Sequence, residues 1–137
     1  MRILLAIMFL SLTAEISAQI LPGMKDSEIQ DYLAGAYEGY VLRDPPNDDE
    51  LKFMTFEHVS GDMTLLVFMD SEGRCTFTRL MVDIDYLDDM TGRYDVDYEN
   101  RGDNRWIART RGETFMLTLE EGDWMFTVTV RKADPEL

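Results

Sequence analysis

The chain has 137 residues, 27 of them acidic and 13 basic, for a net charge of −14 at pH 7. That length suits one domain, and 15 aromatic residues are too many for a disordered, solvating chain. The acidic balance excludes non-specific binding to DNA or RNA and charge-driven docking on anionic lipid, while one cysteine and one histidine remove most metal and catalytic arrangements.

The first eighteen residues read as a signal peptide. Arg2 gives a short positive start, Ile3 to Leu12 is an apolar run broken only by Ser11, and Ile16-Ser17-Ala18 supplies a cleavage site before Gln19. The expected mature product is a single domain, residues 19–137, secreted or periplasmic. The apolar run is shorter than the roughly 20 residues a membrane span needs, and no later stretch is long and apolar enough to span. Cys75 has no partner within the chain, so a disulfide inside it is impossible even in an oxidising compartment. Its setting in a strand-like run, Arg74-Cys75-Thr76-Phe77, favours burial as a small hydrophobe.

Residues 19–25 form a lead with Pro22 and Gly23. Asp26-Ser27 caps a short helix with Ile29, Tyr32 and Leu33 on one face. Gly35 and Gly39 end it near Leu33 or Ala34, since each glycine costs a helix interior about 1 kcal/mol. Tyr37 to Leu42 reads as the first strand, and Asp44-Pro45-Pro46-Asn47-Asp48-Asp49 as a loop. Strands follow over Leu51 to Val59, Met63 to Met69, Arg74 to Leu87, Arg93 to Glu99, Arg105 to Thr110, Glu113 to Leu119 and Asp123 to Arg131. The breaks between them are rich in Gly, Asp and Asn. Apolar and polar residues alternate in most of these runs, so one face packs and the other is wet. In Met63 to Met69 both faces are apolar, and cover is expected on both sides. The apolar parity switches between Phe77 and Leu80, which predicts a bulge near Thr78-Arg79. The expected class is therefore all-β: an antiparallel meander of about eight strands after a short helix, closed into an up-and-down barrel or folded as a sandwich.

Leu33-Ala34-Gly35-Ala36-Tyr37-Glu38-Gly39 resembles the opening of lipocalin-like (calycin) barrels, with Tyr37 at the place usually held by tryptophan. The resemblance implies an up-and-down barrel whose apolar cavity, open at one end, takes a small hydrophobic molecule. An eight-stranded barrel has room for one such ligand or for its own side chains.

Acidic clusters invite a calcium reading, because calcium takes oxygen ligands. Asp95-Val96-Asp97-Tyr98-Glu99-Asn100 fails the EF-hand pattern, with Asn100 at the glycine place and Trp106 at the glutamate place. These acids read instead as a solvated strand face. The methionines are scattered, so packing explains them better than copper ligation with His58. Ser60 lacks a nucleophile elbow and sits in a turn with Gly61 and Asp62. Cys75 and His58 could act together only if the strands brought them into contact. Arg101, Arg105, Arg109 and Arg111 crowd one hairpin region around Trp106. They are expected to pair across strands with Asp95, Asp97 and Glu99, while Arg109 is also a candidate anion contact at a cavity mouth.

The sequence therefore leads to an exported, non-enzymatic β-barrel that binds a small hydrophobic ligand. Tyr37, Trp106 and Trp124 are the expected lining and Arg109 the polar contact, with no metal or cofactor. The alternative is an acidic interaction or inhibitor module acting on a basic protein partner.

Overall fold

The structure, a computed structural model, describes residues 20–36, 40–44 and 52–136. The expected signal peptide with its cut before Gln19, Tyr37 to Gly39, and the proline loop 45–49 lie outside those residues.

Helix α1 (Asp26–Ala36) carries Asp26 and Glu28 in its first turn, where carboxylates favour the helix dipole. Ile29 and Leu33 are buried one turn apart, and Tyr32 packs beside them. The helix runs two to three residues past its expected end.

Eight strands form one antiparallel sheet: β1 (Tyr40–Asp44), β2 (Lys52–His58), β3 (Met63–Met69), β4 (Cys75–Asp83), β5 (Glu99–Gly102), β6 (Arg105–Thr110), β7 (Glu113–Glu121) and β8 (Met125–Lys132). Their order is β1-β2-β3-β4-β8-β7-β6-β5. Two four-stranded meanders are thus joined through the β4–β8 pair, registered from Phe77↔Arg131 to Asp83↔Met125. Short turns link most neighbours. Between β6 and β7, Arg111 (φ 54°) and Gly112 (φ 71°) both adopt left-handed backbone, as a two-residue turn matching strand twist requires.

The expected closed barrel is not formed: the sheet is open, with β1 and β5 as its edges. After β4 the meander stops, and a second helix, α2 (Leu87–Asp97), carries the chain across to the far edge. Four strand spacings amount to about 19 Å, and an eleven-residue helix spans about 16 Å. The chain then returns strand by strand until β8 meets β4. The inward side chains of the sheet share one core with Ile29 and Leu33 of α1 and Met90 and Tyr94 of α2, so helices cover this face.

The stretch Arg93 to Glu99, expected as a strand, is therefore mostly the second half of α2. Its inward side is set by Leu87, Met90, Tyr94 and Tyr98, spaced three, four and four residues apart, and Tyr94 is wholly buried. Val96, which a strand would place beside Tyr94, is 80% exposed. The long strand expected to Leu87 stops at Asp83, whose carboxylate accepts from the Asp85 N–H at 2.9 Å and starts a 3-10 turn over Ile84–Tyr86.

The phase change in β4 lies earlier than Thr78-Arg79. Phe68 pairs with Phe77 and Met69 with Cys75, leaving Thr76 as the extra residue. Its hydroxyl donates to the Phe68 carbonyl at 3.2 Å. Cys75 and Thr78, three apart, consequently both point inward. On the opposite face of β3, Leu66 and Phe68 are only half-buried. Neighbouring strands rather than a second layer cover them: Phe68 stacks on Phe77 (centroids 4.3 Å apart), Phe53 flanks it at 5.6 Å, and the Arg131 guanidinium lies 4.7 Å from the Phe77 ring.

Candidate functional site

The candidate site is a cleft beside the β5 edge. β5 is short and stops at the Glu99↔Ile107 pair, whereas β6 runs on to Thr110. The carboxyl end of α2, α1 and the lead before α1 close around that overhang. The space has a volume of about 630 Å³ and is open to solvent on one side. Ile20, Tyr32, Val96, Tyr98 and Ile107 supply its apolar walls, and Asp97, Glu99, Arg109 and Arg111 its charged rim.

Two arginines on this rim have different tasks. Arg109 donates to the Glu99 carboxylate at 2.8 Å, across the β5–β6 pair, and both side chains are half-exposed. This bond, with the Arg101 charge nearby, holds the Glu99 carboxyl below its ordinary pKa. Arg111 instead fastens the lead segment: it donates to the Ile20 carbonyl at 2.7 Å and to that of Pro22 at 3.4 Å. Its guanidinium also lies 5.3 Å from the Phe115 ring. The lead is pinned from its other side by Gly23 N–H donating to the Cys75 carbonyl at 2.7 Å. Ile20 is thereby held as a wall of the cleft.

Of the sequence-predicted residues, Arg109 stands at the cleft mouth. Trp106 is buried in the core beneath it: its ring meets Tyr94 edge-on at 5.3 Å, and its Nε1–H donates to Asp95 at 2.8 Å. That bond, with a second from Asn100, lowers the Asp95 pKa. Asp95 thus does pair with the hairpin, but with its tryptophan rather than its arginines, because it sits on α2. Trp124 is 85% exposed in the β7–β8 turn and does not line the cleft. Tyr37 lies outside the described residues. Ile20 and Tyr32 were missed by sequence reasoning, since no local pattern reveals which side chains a long-range docking will bring together.

Other candidates are placed apart. His58 Nδ1 lies 2.8 Å from the Ser60 hydroxyl, but that hydroxyl also accepts from the Asp62 N–H at 3.3 Å, which makes the pair a turn brace. Cys75 is buried, and desolvation pushes its pKa up to about 12, which leaves a poor nucleophile. Among the described residues, no group of three or more His, Cys, Asp or Glu side chains is arranged to hold a metal ion, and no helix is long and apolar enough to cross a membrane. Comparison with protein-family models, with curated proteins and with solved structures returned no match to this chain.

Proposed function

We infer that this chain is an exported, non-enzymatic binding protein that holds a small hydrophobic molecule in the cleft between α1, α2 and the β6 overhang. The observation that carries this reading is the cleft itself, about 630 Å³, with Ile20, Tyr32, Val96, Tyr98 and Ile107 on its walls and four charged side chains, Asp97, Glu99, Arg109 and Arg111, at its rim. Ligand sites commonly fall between about 300 and 1,000 Å³, and a rim this charged suits a hydrophobic molecule with a polar end kept at the mouth. The ligand's apolar body lies against Ile20, Tyr32 and Ile107, and its polar end meets the Arg109–Glu99 pair. The lining holds no histidine, cysteine or serine, and its Glu99 carboxylate is already engaged by Arg109, which favours holding over chemistry.

The test is a titration with cis-parinaric acid, a fluorescent fatty acid, at low and high salt. Saturable one-to-one uptake that persists at high salt is expected. Val96→Trp places a large ring at the cleft wall from a position already 80% exposed, so the fold tolerates it. It should weaken uptake at least about tenfold, or about 1.4 kcal/mol, whereas Trp124→Ala should leave uptake unchanged. Absence of saturable uptake, or equal uptake by Val96→Trp, contradicts the reading.

A further inference from the structure

A second surface lies at the end of the sheet formed by three turns. They belong to the β2–β3 connection, the 3-10 turn after β4, and the β7–β8 connection. Hydrogen bonds lock them together. Asp83 N–H donates to the Asp62 carbonyl at 3.0 Å, Ile84 N–H donates to the Trp124 carbonyl at 3.0 Å, and the Tyr86 hydroxyl donates to the Asp62 carboxylate at 2.9 Å.

On this braced platform stand four of the molecule's exposed large apolar residues: Val59 (73% exposed), Tyr86 (39%), Trp124 (85%) and Met125 (43%). A tryptophan this exposed calls for a reason, because indole gains from burial. The surrounding charge is of one sign. The stretches 59–63, 82–89 and 120–125 carry eight carboxylates and not one lysine or arginine.

We propose that this end is a docking surface for a lysine- and arginine-containing segment of a partner protein, with Trp124 as its anchor. An arginine or lysine head lies over the indole face, where the ring quadrupole attracts cations. Its aliphatic stem covers the exposed Met125, and an apolar side chain farther along the segment reaches Val59. Glu121 and Asp123 draw the segment in and set its sign preference. From Met63 through Val82 to Phe126 the platform covers about two strand spacings, or ~10 Å. That matches three to four residues of extended chain at about 3.3 Å each. The charge selects a basic occupant over an acidic one, and the exposed indole selects an occupant with stems to bury over a simple cation. The surface stands apart from the cleft and uses none of its residues.

The experiment measures the fluorescence anisotropy of a labelled octapeptide of alternating arginine and leucine, with a glutamate–leucine octapeptide as counterpart. The expected result is saturable one-to-one binding of the arginine peptide alone, weakened several-fold by moderate salt. Trp124→Ala should weaken it at least tenfold, and Trp124→Phe should restore most of the affinity, since a second aromatic face still meets the cation. Glu121→Gln with Asp123→Asn should weaken it several-fold. Because Trp124 is exposed, an unchanged circular dichroism spectrum separates lost docking from lost folding. Equal binding by Trp124→Ala would show mere attraction to a −14 protein and overturn the proposal, as would failure of the arginine peptide to bind.

Discussion

Replacing Tyr94 by alanine should remove the keystone between α2 and the sheet. The tyrosine is wholly buried, with the Trp106 ring 5.3 Å away edge-on and the Tyr98 ring at 5.8 Å. An aromatic side chain buries about 150–250 Å². At about 25 cal/mol per Å² this gives about 4–6 kcal/mol. That figure is an upper bound, because a real unfolded chain already shields part of the ring. Allowing for the retained Cβ, about 3–4 kcal/mol is expected, within the usual range for aromatic-to-alanine changes in cores. Tyr94→Phe should cost about 1 kcal/mol or less, since among the described residues the hydroxyl reaches only the Met90 sulfur at 3.9 Å. Val96→Ala is the internal control. Val96 is 80% exposed, so little burial is lost, and alanine's better helix propensity returns about 0.5 kcal/mol. Urea unfolding followed by far-ultraviolet circular dichroism gives each difference from the midpoint and slope. If Val96→Ala cost as much as Tyr94→Ala, the two residues would share a buried face, and the helical assignment of 87–97 would fail.

Three further outcomes follow from named contacts. Arg111→Ala should lower stability by about 1–2 kcal/mol, through loss of charge-assisted bonds to the Ile20 and Pro22 carbonyls, and should speed tryptic cleavage after Lys25. Cys75, raised to about 12 by burial, should resist thiol reagents in the native state and react at once in denaturant. Its proton is held more tightly folded than unfolded, so its contribution is complete below about pH 8.5 and fades as pH climbs toward 12; Cys75→Ala should flatten that alkaline loss. Asp95 has the opposite sign. Its pKa is lowered by the Trp106 and Asn100 bonds, so its contribution is present above about pH 4 and fades as pH falls through the folded value. The stability gap between wild type and Asp95→Ala should narrow in acid and stay constant at neutral pH.

Much of the sheet was legible because alternation is local. The inward sets of β6, β7 and β8 follow directly from Trp106 and Ala108, from Phe115, Leu117 and Leu119, and from Phe126, Val128 and Val130. Helix α2 was hidden because Tyr94, Val96 and Tyr98 fit period two as well as Met90, Tyr94 and Tyr98 fit a helix. Gly92 and the β-branched Thr91 and Val96 also lower its intrinsic propensity. The presence of Leu87 and Met90 upstream was the signal that could have decided it. Closure was not legible at all, because strand alternation does not say which edge meets which. That was settled by the 3-10 turn and α2, which together span about 22 Å and so reach the far edge. Arg109 could be placed near a mouth from its crowding with other arginines. The opposite wall, Ile20 and Tyr32, depends on Arg111 reaching back some ninety positions to the lead, which no window of sequence displays.

The most direct test of the account is an amide nitrogen–proton correlation spectrum recorded during titration with cis-parinaric acid. A ligand seated in the cleft gives saturable shifts confined to Val96–Glu99, Ile107–Arg111, Ile20 and Tyr32, with the β3–β4–β8 centre unmoved. Shifts spread along β2, β3 and β4, or a spectrum that never changes, would contradict it.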